Sequence, residues 1–567
     1  MYMDFKVKIP DIKSKIFKKQ IKGTVYISYE YDRVYKPEKK YNIPKRTTIG
    51  KRCEDDPKMM YPNANYLKFF PDEELPEEDR PTGRSSCLRI GAFMIIKKII
   101  CDYGLDRMAQ DFIGRDSGLF LDLIAYSIIT ECNAGQYYPD YAYNHPLFTG
   151  GMRIYSDSKV SEFLNSITDD QRVSFLNSWN ESRDHRERIY ITYDSTNKSL
   201  QAGDVDVAEY GHSKDGQGKP VFNYAIAYDS GNREPLFYEE YPGSIVDVSQ
   251  LQFMLEKAKG YGYKKIGFIL DRGYFSKGNI HFMDKSGYDF VIMAKGMKKL
   301  VSGLVLDNRG TFEESRSHSI REYGVSGTTV KSKLFPADEN ERYFHIYYSS
   351  RKYASEREQV ETKIDRLAKY LKKQEGKAVK IEAGMSQYFD LIYHHKGQED
   401  ETFMCGRERE DVINQEIRLC GYFVIITSKK MTAKEALLLY KSRDGSEKLF
   451  RGDKSYLGNR SVRVYTDESV DAKVFIEFVA LIVRNKIYTC LKDEMVKKEK
   501  KPNYMTVPAA LKELEKIEMV RLLDNVYRLD HAVTAVQKEI LKAFGMNAAH
   551  VKDKAGEISR LLAVMNR

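Results

Sequence analysis

No two of the seven cysteines form a C-x-x-C pair; Cys53, Cys87, Cys101, Cys132, Cys405, Cys420 and Cys490 are scattered along 567 residues. That spacing excludes a disulfide framework and a structural zinc site, and it predicts reduced, mostly buried thiols. No apolar run approaches the roughly eighteen residues of a membrane span, and the opening MYMDFKVKIPDIKSKIFKKQ has no apolar signal-peptide core. The protein is therefore expected in the cytoplasm. The histidines, among them His212, His281 and the pair His394–His395, never adopt H-x3-H spacing and read as surface or loop residues. The glycines of KDGQGK lack a strand-to-helix context and a following G-K-[ST], which leaves a turn and excludes a phosphate loop. The single tryptophan, Trp179, lies on an amphipathic stretch and is expected in a core or an interface. There is no internal repeat.

What is present points to a folded chain of several units. With 42% hydrophobic and 31% charged residues it is neither disordered nor fibrous, and 567 residues exceed one hydrophobic core. Residues 1–52 hold fifteen Lys or Arg against five Asp or Glu, an excess that equals the +10 of the entire chain. The other residues are balanced, so the net positive charge sits at the N-terminus. Tyrosines 26, 29, 31, 35 and 41 are interleaved with these cations, which fits a phosphate-contacting arm or a small β-rich module; a solvated basic surface is the plainer reading.

The patterning divides the chain into a basic N-terminal region, expected to be DNA-binding, with an acidic, proline-bounded linker (1–80), a helical region (81–184), an α/β core in two parts (185–294 and 421–495) interrupted by an insertion (295–420), and a C-terminal helical region (496–567). KKEKKPN is a second linker, and two amphipathic helices are expected after it. In the core, RIYITYD, VFNYAIAYD and EPLFYEEY read as strands by their β-branched and aromatic content, followed by helix, strand KKIGFILD, helix and strand YDFVIMA. This βββαβαβ order predicts a mixed sheet with helices on its faces. GYFVIIT is a further strand. MTAKEALLLYKSRDGSEKLFRGDK follows as one helix, with Thr432 and Glu435 as its capping box.

Three acids stand where chemistry gathers in such folds. Asp194 ends the first strand and Asp271 the fourth, and ligands of α/β sheets collect beyond the carboxyl ends of strands. If those strands are neighbours, the two aspartates face each other. Glu447 lies on the later helix. At about 100° per residue, Tyr440, Arg443, Glu447, Arg451 and Lys454 fall at roughly 0°, −60°, −20°, +20° and −40°, so they share one face. Three convergent carboxylates form an oxygen cage for two Mg²⁺ ions, which at about 3.5–4 Å apart clamp both oxygens of an in-line phosphoryl transfer. Arg443, Arg451 and Lys454 would then hold phosphates flanking the cut. Each acid alone has an ordinary explanation. Arg443 and Glu447 form an i,i+4 pair, and Asp194 or Asp271 could cap a turn. The neighbours Asp204, Asp206, Glu209, Asp444 and Asp453 rank below the triad, because the first two lie in a loop and the last two sit roughly 60° and 120° around the helix from Glu447.

The spacing Y-x2-R-x3-E-x6-K of Tyr440, Arg443, Glu447 and Lys454 resembles the signature of bacterial DDE transposases of the insertion-sequence-four group, whose catalytic domain is ribonuclease H-like. ITYDST and FILDRGYFS are similar to the blocks that carry that group's two aspartates, and EYGHSKDGQGKP, PGSIVDVSQL and RLDHAVTAVQKEILKAFG are similar too, covering about 185–567. The resemblance implies that Asp194, Asp271 and Glu447 are catalytic and bind two divalent metal ions, Mg²⁺ or Mn²⁺. It assigns Tyr440, Arg443 and Lys454 to the terminal phosphates of a transposon end, and the N-terminal region to terminal inverted repeats. It also implies a β-rich insertion at 295–420, a homodimer on paired double-stranded DNA ends, and transfer of freed 3′-hydroxyls into target DNA in the bacterial nucleoid. In some members an insertion-domain tryptophan stacks on a flipped base during hairpin formation. Here Trp179 precedes the first aspartate, and a tyrosine or phenylalanine of the insertion could stack instead. The rival expectations are a metal-dependent nuclease without strand transfer and a non-cutting DNA-binding repressor.

Overall fold

The computed structural model describes residues 2–3, 5–37, 40–71, 83–200, 205, 208–209, 220–245, 247–294, 298–395, 397, 401–458, 461–500, 505–522 and 526–565. Most of the acidic linker, part of KKEKKPN, the KDGQGK turn, Asp204, Asp206 and His212 lie outside the described residues. The chain forms two units, one of residues 1–175, 455–459 and 468–567, the other of 176–454 and 460–467.

In the first unit the basic N-terminal segment is an antiparallel sheet of five strands, in the spatial order Val7–Lys8, Met59–Pro62, Tyr41–Arg52, Thr24–Lys36 and Ile16–Ile21. Its small core gathers Val7, Ile27, Ile49, Met60 and Tyr66. Helices Gly91–Asp102 and Ser117–Thr130 follow, and Phe120 stacks on Phe475 of the long helix Asp467–Lys497 at 5.3 Å. Where two closing helices are expected, the described residues contain three, Val507–Leu514, Ala535–Ala543 and Ala548–Met565, with strands Glu518–Arg521 and Tyr527–Leu529 between the first two. Glu518–Arg521 pairs with Cys87–Arg89, tying the C-terminal part to the start of the helical region. None of the seven cysteines is in a disulfide; only Cys53 and Cys420 are buried, so the expectation of mostly buried thiols fails. Among the described residues no helix is long and apolar enough to cross a membrane.

The second unit is built on a ten-stranded mixed sheet. Its elements in chain order are β1 (Ile189–Leu200), β2 (Val221–Asp229), β3 (Glu234–Pro242), α1 (Asp247–Gly260), β4 (Ile266–Leu270), α2 (Lys277–Lys285), β5 (Asp289–Met293) and α3 (Lys298–Asn308). They continue with β6 (Ser319–Ile320), β7 (Val325–Lys333), β8 (Glu341–Tyr348), α4 (Ser350–Gln374), β9 (Phe389–His394), β10 (Thr402–Glu408), α5 (Glu410–Leu419), β11 (Tyr422–Thr427), α6 (Ala433–Lys441), α7 (Asp444–Tyr456) and β12 (Ser461–Val462). The spatial order is β6-β7-β8-β11-β5-β4-β1-β2-β3, with β12 beside β1. The meander β1–β2–β3 is antiparallel, while β4 runs parallel to β1 and β5 parallel to β4. This is the ribonuclease H-like arrangement. Crossover helices α1 and α2 supply the parallel connections.

The strands are buried on both faces, which is why they read as near-continuous apolar runs. On one face Ile191, Tyr193, Phe268, Leu270, Phe290 and Ile292 pack with Leu251, Met254, Ile280 and Met283 from α1 and α2. On the other, Ile269, Val291 and Ile425 meet Ala433, Leu437 and Tyr440 of α6. Trp179 is fully buried and donates its Nε1–H to the Pro235 carbonyl at 3.1 Å, a core position. The expected insertion is not a single body: β6, β7 and β8 join the main sheet through β11. Helices α4 and α5 instead pack against the β9–β10 hairpin in a separate small core of Ile364, Leu371, Phe389, Phe403 and Ile413.

Two buried polar contacts hold the second unit. Lys198 on β1 and Asp453 on α7 are both fully buried and lie 3.1 Å apart, with the ammonium over the Tyr224 ring at 4.3 Å. Removing one member strands a charge, at a cost of about 3–5 kcal/mol. Asp453→Ala should therefore lower the unfolding midpoint steeply, whereas Lys198→Met combined with Asp453→Leu should recover most of the loss in a thermal-shift assay. An unchanged midpoint for the single variant would remove this pair from the account of how α7 is held. His345 on β8 sits between the hydroxyls of Thr329 and Thr427, each at 2.9 Å, and burial depresses its pKa from 6.5 to about 4. A depressed folded-state pKa contributes stability that is complete above 6.5 and lost as pH falls toward 4. Equilibrium unfolding between pH 7 and 4 should show this loss, and His345→Gln should flatten it.

Candidate active site

The register of two parallel strands builds the site's floor. Ile266 to Leu270 of β4 pair in step with Ile189 to Tyr193 of β1, so Asp194 and Asp271 are the next residues on two neighbouring chains. Asp194 does not end its strand, as the sequence suggested. β1 continues to Leu200, because β2 pairs with it along that length and β12 pairs with Ser199 and Leu200. Side chains alternate along a strand, so with Tyr193 in the α1–α2 core Asp194 belongs to the face that carries α6 and α7. Asp194 Oδ1 accepts the Ser195 amide at 2.9 Å. Asp271 caps the turn Arg272–Tyr274, accepting the Arg272 amide at 2.7 Å. Its capping and its place beside Asp194 coexist.

Helix α6 leads into α7, which brings the third acid over this edge. The capping box is present: Glu435 donates its amide to Thr432 Oγ1 at 3.2 Å, and the Thr432 amide donates to Glu435 Oε2 at 2.7 Å. Ala433, Leu437 and Tyr440 then face the sheet at helical spacing, and the Tyr347 hydroxyl donates to the Ala433 carbonyl at 2.7 Å. The expected single helix is two. At Ser442–Arg443 the bonds tighten to i→i+3, with Gly445 N–H to Ser442 and Ser446 N–H to Arg443, and α7 starts at Asp444. Two close contacts seat α7. A Cβ at Gly445 would stand 2.9 Å from the Tyr228 ring, and Phe450 meets Tyr224 edge-on.

Arg443 occupies the centre of the site. Its side chain is only 16% exposed, and it donates Nη1–H to Asp271 at 2.9 Å and Nη2–H to Glu447 at 2.7 Å. Burial pulls its pKa down, but Tyr440, Asp271, Glu447 and Asp194 together outweigh that and hold it above its usual value. All three acids thus act on one guanidinium. Burial pushes the Tyr440 hydroxyl up to about 12, with Asp271 and Glu447 adding to the rise against Arg443 and Arg272. Tyr440 is therefore a neutral hydroxyl at physiological pH, and its ring lies 5.4 Å from the Arg443 carbon.

The remaining predicted residues separate. Arg451 is exposed on α7, Lys454 is half-buried, and Arg443 is engaged by carboxylates where a phosphate-contacting role was expected. Asp444 is exposed in the first turn of α7, and Asp453 is consumed by Lys198. Sequence reasoning passed over Arg272, an exposed cation beside Asp271 whose charge reaches Tyr440; the Asp-Arg-Gly order was its only signal. Among the described residues no group of three or more His, Cys, Asp or Glu side chains is gathered closely enough to hold a metal ion. The donor set nevertheless fits a hard cation. Three carboxylates against one guanidinium leave a formal excess of two negative charges, and every donor atom they offer is an oxygen.

Residues 193–483 match the family described as Transposase DDE domain, a span just over half the chain that includes Asp194, Asp271 and Glu447. No curated protein matches. Among solved structures, the piggyBac transposase synaptic complex with hairpin DNA is similar at 10% identity and a TM-score of 0.31, over 72% of this chain and 65% of that one. The Mos1 transposase paired-end complex with left transposon end is similar at 10% identity and a TM-score of 0.14, over 40% of this chain and 65% of that one. The Mos1 mariner paired-end complex with Mn stands at 10% and 0.13, over 40% and 64%. This chain thus spans slightly less than two thirds of each of those chains. On the match across its β1-to-α7 core, the chain belongs to the Transposase DDE domain family.

Proposed function

We propose that this chain is a DNA transposase of the insertion-sequence-four kind, which cuts at the ends of its element and joins the freed 3′-hydroxyls to target DNA. The observation that carries this reading is the convergence of Asp194, Asp271 and Glu447 on Arg443 at one edge of a ribonuclease H-like sheet. The three carboxylates would hold two divalent ions, Mg²⁺ or Mn²⁺. When bound, such ions supply Lewis-acid charge at the scissile phosphate and activation of the attacking oxygen.

The chain's own groups do the rest. Arg443 holds Asp271 and Glu447 in place and cancels part of their repulsion. Tyr440, anchored in the α6–sheet core, fixes the height of the helix break and offers a neutral hydroxyl donor. Arg451 and Lys454 on α7, with Arg272 at the end of β4, supply cations for backbone phosphates on either side of the cut. Two copies on paired ends are the expected assembly. Tyr323 is an exposed aromatic of the segment 295–420, and burial first, then the charges of Asp444 and Glu322, raise the pKa of its hydroxyl; it is the candidate to stack on an unpaired base.

Glu447→Gln keeps the shape and removes the charge. It should leave DNA binding intact and reduce Mg²⁺-dependent cleavage of the element's own ends roughly a thousandfold, since metal-borne charge stabilisation amounts to several kcal/mol. Equal cutting by both proteins would take Glu447 out of the site. A strand-transfer assay on pre-cut ends separates transposase from nuclease: joined product is expected, and plain hydrolysis would sink the joining step. End-labelled products on a denaturing gel should show hairpins that disappear with Tyr323→Ala; efficient excision without any hairpin would dismiss the stacking role.

A further inference from the structure

The N-terminal sheet ends in a feature that its own stability does not require. Strand Ile16–Ile21 pairs with Thr24–Lys36 only as far as Tyr29, and Met59–Pro62 pairs with Tyr41–Arg52 only from Gly50 onward. The two long strands nevertheless stay paired to their ends, through Asp32 with Lys45, Val34 with Ile43 and Lys36 with Tyr41. Beyond Glu30 they form a two-stranded ribbon with no third strand among the described residues. Six residues at about 3.3 Å each carry it roughly 20 Å out. An unsupported hairpin in water is marginal, so its persistence asks for a reason.

Its base is anchored and its outer part is exposed. Glu30 is 3% exposed and accepts from Arg33 at 2.6 Å and Arg46 at 2.9 Å, and these hydrogen bonds hold its carboxyl below the usual range. Arg46 lies over the Phe17 ring at 3.4 Å, and Tyr31 stacks on Phe69 at 5.1 Å. Further out, Tyr35 and Tyr41 are 57% and 56% exposed, and Lys36 and Lys40 are exposed, without an ion pair among the described residues. The ribbon is thus rigid at its root, cationic and aromatic at its described outer end.

We propose that the ribbon of Tyr31–Lys36 and Tyr41–Arg46 enters the major groove of duplex DNA, a reading that rests on the DNA-acting function proposed above. The groove is about 12 Å wide and admits a two-stranded β-ribbon. Lys45 is paired with Asp32 at 3.1 Å, which leaves Lys36 and the neighbouring Lys40 for the phosphates that line it, and tyrosine rings suit sugars and thymine methyls at its floor. A protein strand adding to the ribbon's edge is disfavoured by the structure itself. Pro44 lacks the donor an added strand would need, and the register shift between Glu30 and Asp32 twists the edge away.

The test uses the full chain and two duplexes, one carrying the element's own end and one unrelated, with affinity followed against salt. Lys36→Gln with Lys40→Gln should lower the slope of log K against log salt by about 2, at about 0.9 per phosphate contact. Tyr35→Ser with Tyr41→Ser should weaken binding to the element's end about tenfold and leave the slope unchanged, the signature of lost base-side contact. Methyl green, a major-groove ligand, should compete with the wild type, and distamycin should not. Wild-type binding with both double variants indistinguishable from it overturns the ribbon's role and leaves the transposase reading standing. Loss of a dimer in the variants at unchanged DNA affinity, seen by sedimentation, would assign the ribbon to a contact between copies and also overturns it. A wild type that binds neither duplex would sink both readings together.

Discussion

The parallel pairing of β1 with β4 is the constraint on which the rest of the site depends. It sets Leu270 against Tyr193, so the two chains leave their last shared rung with an aspartate each. A slip of one residue would turn Asp194 to the α1–α2 face and scatter the acids. Packing on both sides enforces the register. Phe268 and Leu270 fill one core and Ile269 the other, while a Cβ at Gly267 would lie 2.4 Å from the Tyr190 ring. The small residue at that point lets the neighbouring ring close over the strand.

Against this floor the two helices act as a positioned pair. α6 is set by its capping box and by Leu437 and Tyr440 in the sheet core, and α7 by the buried Lys198–Asp453 pair and the contacts of Gly445 and Phe450. The break between them falls at Ser442–Arg443, where the backbone tightens into i→i+3 bonds. Arg443 is thereby held over the end of β4, and Glu447 follows one turn later on the side of α7 that is not buried. The carboxylates are kept together by a cation the chain itself supplies, which limits their mutual repulsion.

Much of this was legible in the chain. The six core strands carry β-branched and aromatic runs whose signal is local, and the Thr432–Glu435 box is a four-residue pattern. What escaped was non-local. β12 has two residues, β6 has two and the strands near 518–529 are short, so none has a period of its own; each exists because a partner strand lies beside it. The joining of β7 and β8 to the main sheet is likewise a pairing with β11 that no local pattern announces. The helix break was invisible because Ser442 and Arg443 are acceptable helix residues and the apolar spacing runs through them.

The sequence by itself determined the kinds of group available and their order: two aspartates after apolar runs, a glutamate four residues beyond an arginine, and a basic aromatic N-terminus. Those follow from chain chemistry and short-range periodicity. Only the tertiary structure decided which acids are occupied and which converge. Asp453 sits six residues beyond Glu447 on the same helix, yet it is buried against Lys198 while Glu447 stays half-exposed over Asp271's arginine. The reason is that a charge's role depends on what lies across from it: Lys198 reaches Asp453 from 255 positions away in the chain and Asp271 reaches Arg443 from 172, across a sheet whose register is a property of the packed core and not of any segment within it.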